Sequence, residues 1–315
     1  MNNATKNITT VSEFILLGFH FSPKIVVSFN IFLLLSYIFT ITGNVLILSL
    51  VISDRRLHSP MYFFLCNLAT LEIGFSNVVV PNMLRGLLPR GKYISLTGCM
   101  SQFYTFFLLG AADFYLLAVM SFDRYVAICH PLRYALIMTR RLCVQLMVGI
   151  GVGSFFYTLV PSILVMRLSF CDNMLNHFFC DLGPLLKNSC TDTTSIHLLG
   201  FSTSSLLLLG SLTVTIISYI YIVLAVLKIQ TTEGREKAFS TCSSHALVVS
   251  LIYGSCIFMY VRPSQVQDLD IDKLVALLNA VVVPLLNPFI YALRNQKVKA
   301  ILKERLCKTQ YRSEK

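Results

Sequence analysis

Two acids stand inside stretches that are otherwise apolar: Glu72 in LATLEIGFSN and Asp113 in LGAADFYLLAV. An ionisable side chain held in a membrane-crossing helix is costly, so it points to function. Glu72 lies about 12 residues past Pro60, roughly 18 Å along a helix, and Asp113 about ten residues before Asp123, roughly 15 Å. Measured from the same end, the two carboxylates therefore share a depth. Asn44 and Asn287 fall within about one turn of that level. Four polar groups at one depth either satisfy one another and stabilise packing, or hold a proton or a cation. Glu72, Asp113 and Asn44 are on this ground a candidate cation site. Two carboxylates at close range repel, so the pair must give up one charge or share a cation.

A second charged pair, Asp123 and Arg124, closes an apolar run in MSFDRYVAICHPLRY, Met120 to Tyr134. At an exposed helix end such a pair is solvated and contributes little. Other chemistry finds no support. His58, His130, His177 and His245 lack metal-ligand spacing, and neither GxSxG nor HExxH occurs. The 10 cysteines are scattered singly without a CxxC pair, against a zinc ribbon or a redox motif. An enzyme is not expected, and neither is a cofactor or a resident metal other than sodium.

The elements that position these residues follow from composition. Of 315 residues, 55% are hydrophobic and only 13% charged, against about 25% charged in a soluble domain. Apolar stretches fall at about 25–52, 60–88, 98–128, 141–165, 196–227, 238–261 and 273–293. Each is long enough to cross a hydrocarbon core of about 30 Å as a helix. The last is the weakest, since it carries Asn279, Asn287 and two prolines. Lipid offers backbone groups no partners, so helices are the default, and the ~10-residue alternating segments of a transmembrane barrel are absent. The expected fold is an all-α bundle of seven membrane-spanning helices. The net charge of +11 does not form a nucleic-acid stripe, because the basic residues sit between apolar runs.

Most of the 26 Lys and Arg fall on one side if the N-terminus is outside, and the positive-inside rule then sets the topology. The tripeptides at Asn3 and Asn7 are N-glycosylation acceptors on that outer end. No signal peptide is visible in MNNATKNITT. Residues 1–24 read as a glycosylated extracellular segment, 25–293 as the seven-span domain, and 294–315 as a cytoplasmic tail. In that tail Val298, Ile301, Leu302 and Leu306 recur at helical spacing among basic residues, as in a helix lying on the inner lipid surface. Cys307 is either a palmitoylation site or an unmodified thiol.

Several blocks now acquire a common meaning. MSFDRYVAICHPLRY resembles the MAYDRYVAICHPLRY of olfactory receptors, rhodopsin-like G-protein-coupled receptors, departing at Ser121 and Phe122. Gly43-Asn44, LHSPMYFFL (Leu57 to Leu65), Ser218-Tyr219, KAFSTCSSH (Lys237 to His245) and PLLNPFIYALRN (Pro284 to Asn295) follow in register. The resemblance covers nearly the whole chain. Three features depart from the pattern: Glu72 stands where Asp is usual, Ile252 precedes Tyr253-Gly254 where Phe is usual, and tryptophan is absent.

The resemblance implies a ligand pocket formed by Phe106, Phe107, Gly110, Ala111 and Phe114 of the third span. Thr203 and Leu207 of the fifth join them, with Cys256, Ile257 and Tyr260 of the sixth and Leu277 and Ala280 of the seventh. Phe106 to Ala111 carries no charge, which suits a small, neutral, volatile odorant. It implies a switch made of Asp123, Arg124, Tyr125, Tyr219, Tyr253, Asn287, Pro288 and Tyr291, and a G protein of the olfactory stimulatory type as partner, raising cyclic AMP. It pairs Cys99 with Cys180 and Cys171 with Cys190, one of three pairings that four cysteines allow. A receptor for a non-volatile ligand is the alternative. A transporter or channel is a more distant one, since no internal repeat or chain of intramembrane charges is seen.

Overall fold

The computed structural model of the chain describes residues 11–19, 22–86, 92–260, 269–294 and 296–313. Its frame is a bundle of long helices: α1 (Pro23–Ser53), α2 (Pro60–Gly86), α3 (Leu96–Cys129), a single turn α4 (Tyr134–Ile137), and α5 (Arg140–Met166). A short α6 (Leu182–Lys187) leads to α7 (Thr194–Leu227) and α8 (Thr232–Tyr260). The seventh span is α9 (Leu269–Leu277) continued by α10 (Val283–Arg294), and α11 (Gln296–Ser313) follows it.

Local chemistry sets the starts. α1 and α2 open on Pro23 and Pro60, where a missing N–H forfeits no helical bond. Ser95 caps α3 by accepting from the Gly98 N–H at 3.1 Å, and Thr139 caps α5 by accepting from Leu142 at 3.3 Å. Between α9 and α10 the chain widens into one π turn, Leu278–Val282. Pro284 follows directly and has no N–H to return to Ala280, which loosens the ladder there.

Among the described residues six helices are long and apolar enough to cross a membrane, the seventh span among them over Lys273–Ile290. The expectation that the seventh is weakest is corrected: its mean hydropathy of 1.8 exceeds the 1.6 of the second span, Pro60–Arg85. Leu206, Phe156, Val223 and Ile52 stand exposed around the bundle, an apolar surface that water would not tolerate at this extent and lipid does.

One end of the bundle carries a feature absent from an all-α expectation. A three-stranded sheet of order β2-β1-β3 joins β1 (Glu13–Leu16), β2 (Tyr93–Ser95) and β3 (Met174–Leu175). β1 is the central strand, antiparallel to β2 and parallel to β3. Phe14 and Leu16 alternate inward, and fully buried Phe14 meets Phe170 edge-on at 5.0 Å. The disulfides Cys99–Cys180 and Cys171–Cys190 tie the segment between α5 and α7 to α3 and to itself. Buried Lys273 of α9 donates to the Gly18 carbonyl at 2.9 Å and lies over the Phe19 ring. That holds the stretch after β1 to the seventh span.

At the opposite end α11 turns back on the bundle, burying Val298 and Ile301 in the main core and half-burying Leu302. The Leu306 side chain lies outside the described residues. Arg56 bridges Asp54 at 2.8 Å and Glu304 at 2.9 Å. The hydrogen bond from the Arg56 guanidinium holds the Asp54 carboxyl down at about 2, below the usual carboxylate range.

Candidate ligand cavity and switch

A cavity of about 170 Å³ opens inside the sheet-end half of the bundle. A single buried water needs only about 10–15 Å³, so the space suits a small organic molecule. α3 supplies its longest wall: Phe106, Phe107, Leu109, Gly110, Ala111, Asp113 and Phe114. Phe106 is the hub, with ring centroids 4.8 Å from Phe75 of α2 and 4.6 Å from Phe179 of the roof. A Cβ built on Gly110 would meet Phe75 at an ordinary 3.9 Å, so glycine is not forced there by packing. Its effect is to leave the cavity wider.

Phe106, Phe107, Gly110, Ala111, Phe114, Leu207 and Cys256, all expected from the sequence, line this space. Thr203 does not: its hydroxyl donates to the Leu199 and Gly200 carbonyls of its own helix, and Ser204 lines the cavity instead. Ile257 is exposed on the outer surface of α8. Leu277 and fully buried Ala280 pack behind the wall with Leu33 and Val79, and Ala276 and Asn279 line it in their place. The Tyr260 side chain lies outside the described residues. Sequence reasoning missed Tyr157 of α5 and the roof residues Phe179 and Asp181. The last two flank Cys180, whose disulfide to Cys99 places them over the cavity, and that adjacency was the available signal.

Roof and wall are joined by one buried amide. Gln102 of α3 donates to the Val78 carbonyl at 2.8 Å and accepts from the Cys180 N–H at 3.1 Å. A single side chain thus fixes the spacing of α2, α3 and the roof segment at Cys180.

Glu72 and Asp113 both line the cavity, at its deep end. Asn287 donates from Nδ2 to Glu72 Oε1. Glu72 Oε2, Asp113 Oδ1 and Asn287 Oδ1 are buried with no hydrogen-bond partner among the described residues. Asn44 is buried nearby in sequence depth, but its amide donates to the Thr40 carbonyl of its own helix at 3.0 Å. The structure therefore groups Glu72, Asp113 and Asn287, with Asn44 turned to its own backbone.

Toward the opposite end, Asp123 and Arg124 form a buried pair at 2.5 Å. The surface expectation for this pair is overturned, because Tyr134 folds over it and donates to Asp123 Oδ1 at 2.8 Å. Burial and the neighbouring Asp123 charge raise the Tyr134 hydroxyl well above its ordinary range, so it stays a donor. Tyr125 pairs with His130 at 3.1 Å. Tyr219 stacks on His245 with rings 6.0 Å apart and shares a 2.8 Å hydrogen bond with its Nδ1. Tyr253 is buried against Phe114 at 5.4 Å, linking cavity wall to core. Pro288 lies against Gly43, where an added Cβ would come within 2.9 Å. The Tyr291 side chain is outside the described residues, as are Asn3 and Asn7.

Comparison with known proteins gives this geometry a setting. The family model "Olfactory receptor" matches residues 33–309. Olfactory receptor 6E1 of Mus musculus is 50% identical over 306 residues, 96% of this chain and 98% of its own. Olfactory receptor 6S1 of Homo sapiens is 49% identical over 296 residues, 93% of this chain and 89% of its own. Among solved structures, squid rhodopsin superposes with a TM-score of 0.71 at 17% identity, covering 91% of this chain and 82% of that one. The rhodopsin likeness shows the seven-helix fold, and the relatives agree over nearly the whole length: the chain belongs to the olfactory receptor family, as a multi-pass membrane receptor and not an enzyme.

Proposed function

We propose that the chain binds a small, largely apolar volatile molecule in the cavity beside α3 and activates a stimulatory, olfactory-type G protein, raising cyclic AMP. The family implies a small-molecule ligand and a G-protein partner. The observation that carries the reading is the mostly apolar cavity whose wall residue Phe114 touches buried Tyr253. A ligand that packs better in one arrangement of α3 and α8 shifts the population toward that arrangement by its differential affinity.

The sheet end is read as extracellular and the Arg124 end as cytoplasmic, on the distribution of Lys and Arg. Residues 1–24 then form the outer segment, with Asn3 and Asn7 as glycan acceptors, 25–293 the seven-span domain and 294–315 the inner tail. On activation the Asp123–Arg124–Tyr134 cluster and the Tyr219–His245 pair separate, and Arg124, Tyr219 and Tyr291 rearrange around an opened inner end. Pro288 beside Gly43 serves as the bend of the seventh span. While no ligand is bound, the oxygens of Glu72, Asp113 and Asn287 suit a hard cation such as sodium, which would hold the resting arrangement until a ligand displaces it.

The test is cyclic AMP in cells expressing the tagged receptor with an olfactory G protein, screened against volatile compounds. Arg124→Ala at equal surface expression abolishes the response. A full response from that variant overturns the proposed switch, and ligand-evoked current without G-protein signalling favours a channel.

A further inference from the structure

We propose that the cavity selects its ligand through a hydrogen-bond-donating head group, an alkyl amine above all, seated at the deep end between Glu72 and Asp113. This rests on reading the cavity as the ligand pocket. Among the lining residues are three carboxylates, Glu72, Asp113 and Asp181, and no Lys, Arg or His. Lys273, one turn from Ala276 on the seventh span, is directed at the Gly18 carbonyl.

The two ends of the cavity differ in what their acids are already doing. At the roof, Asp181 caps α6, accepting from the Leu182 N–H at 2.8 Å. At the deep end, Glu72 is only 5% exposed, and its Oε2 has no hydrogen-bond partner among the described residues. Asp113 Oδ1 is in the same condition. The nearby amide donor of Asn287 is engaged by the other Glu72 oxygen. A buried acceptor without a donor is expensive, and a buried carboxylate more so.

Ligand head groups differ in what they bring to that floor. An ammonium carries three donors and the opposite charge, a hydroxyl carries one donor, and a carboxylate brings a third negative charge with no donor at all. The order of preference is amine, then alcohol, then acid. Seven residues of α3 separate Asp113 from Phe106, roughly 10 Å at 1.5 Å per residue. The tail of the ligand therefore runs up the uncharged wall towards Phe106, Phe107 and the roof. The sequence expectation of a neutral ligand rested on that wall alone, and the floor adds the charge.

The experiment uses the purified receptor and a panel of straight, branched and cyclic skeletons, each as amine, alcohol and carboxylate. Thermal stabilisation by each compound is measured, with cyclic AMP in cells recorded in parallel. Amines are expected to stabilise most, and Asp113→Asn to weaken their binding by about tenfold or more, the loss of one charge-assisted hydrogen bond. Glu72→Gln, which keeps the shape and an acceptor for Asn287, is the second variant. Carboxylates binding as well as amines, no amine stabilising at all, or amine binding unchanged in both variants would each overturn the proposal. Cyclic AMP raised only by esters or acids overturns it and leaves the receptor reading standing. Amine binding without cyclic AMP supports it and overturns the signalling reading.

Discussion

Tyr134 donates a 2.8 Å hydrogen bond to the same Asp123 carboxylate that holds Arg124 at 2.5 Å. The pair is therefore a buried three-member cluster closed by a residue from the connection after α3. A hydrogen bond to a charged group contributes about 1.5–3 kcal/mol. In Tyr134→Phe the closed cluster is weakened by about that amount, a tenfold or larger population change, and basal cyclic AMP is expected to rise severalfold at equal surface expression. Unchanged basal signalling in the phenylalanine variant would mean that the cluster does not restrain Arg124.

Two glycines quoted together from the sequence are opposites in space. A Cβ at Gly43 would lie 2.9 Å from Pro288, while one at Gly254 meets nothing within 4 Å. Gly43→Ala is expected to force α1 off α10 and cost about 1–3 kcal/mol, as overpacked sites do. Gly254→Ala is expected to be neutral or slightly stabilising. The measurement is the thermal midpoint of each purified variant, with surface level as a second reading.

Gly110 offers a way to fill the cavity without disturbing its frame. Its Cβ direction is open to 3.9 Å, so Gly110→Val is expected to fold and reach the surface. Its extra methyl groups take up ligand space, and responses to every ligand of the wild-type receptor should fall by at least about tenfold, the loss of about 1.4 kcal/mol. Dose–response curves against surface expression decide it.

Gln102→Leu keeps the volume of the buried amide but leaves the Cys180 N–H unpaired and removes the link from α3 to the Val78 carbonyl. An unpaired buried group costs about 1–3 kcal/mol. The variant is expected to melt several degrees lower and to exchange the Cys180 amide faster. A midpoint equal to wild type would show that the roof is held by the Cys99–Cys180 bond alone.

Much of the frame is legible in the sequence because apolar runs of span length have few alternatives in lipid. The depth argument for Glu72 and Asp113 works for the same reason: a helix converts residue count into distance. Rotation about a helix axis is less accessible. Leu277 and Ala280 are each one residue beyond the positions that line the cavity, and the π turn at Leu278–Val282 shifts the face presented there. Thr203 misses by one residue for another reason, since its hydroxyl is satisfied by its own backbone. Asn44 behaves likewise. The sheet was hidden because β1 is four residues long and its partners lie far along the chain. Only the inward alternation of Phe14 and Leu16 announces it.

The placement of β1 also imposes an order of assembly. Glu13–Leu16 precedes every span in the chain, yet it becomes the middle strand of its sheet. One neighbour, Tyr93–Ser95, exists only after the second span is made, and the other, Met174–Leu175, only after the fourth. Until then the strand waits with both edges unpaired, and Lys273, which fastens the stretch behind it, arrives later still with the seventh span. A strand made before any span is thus among the last pieces to be locked in place, so closure of this end certifies that the later spans have been delivered.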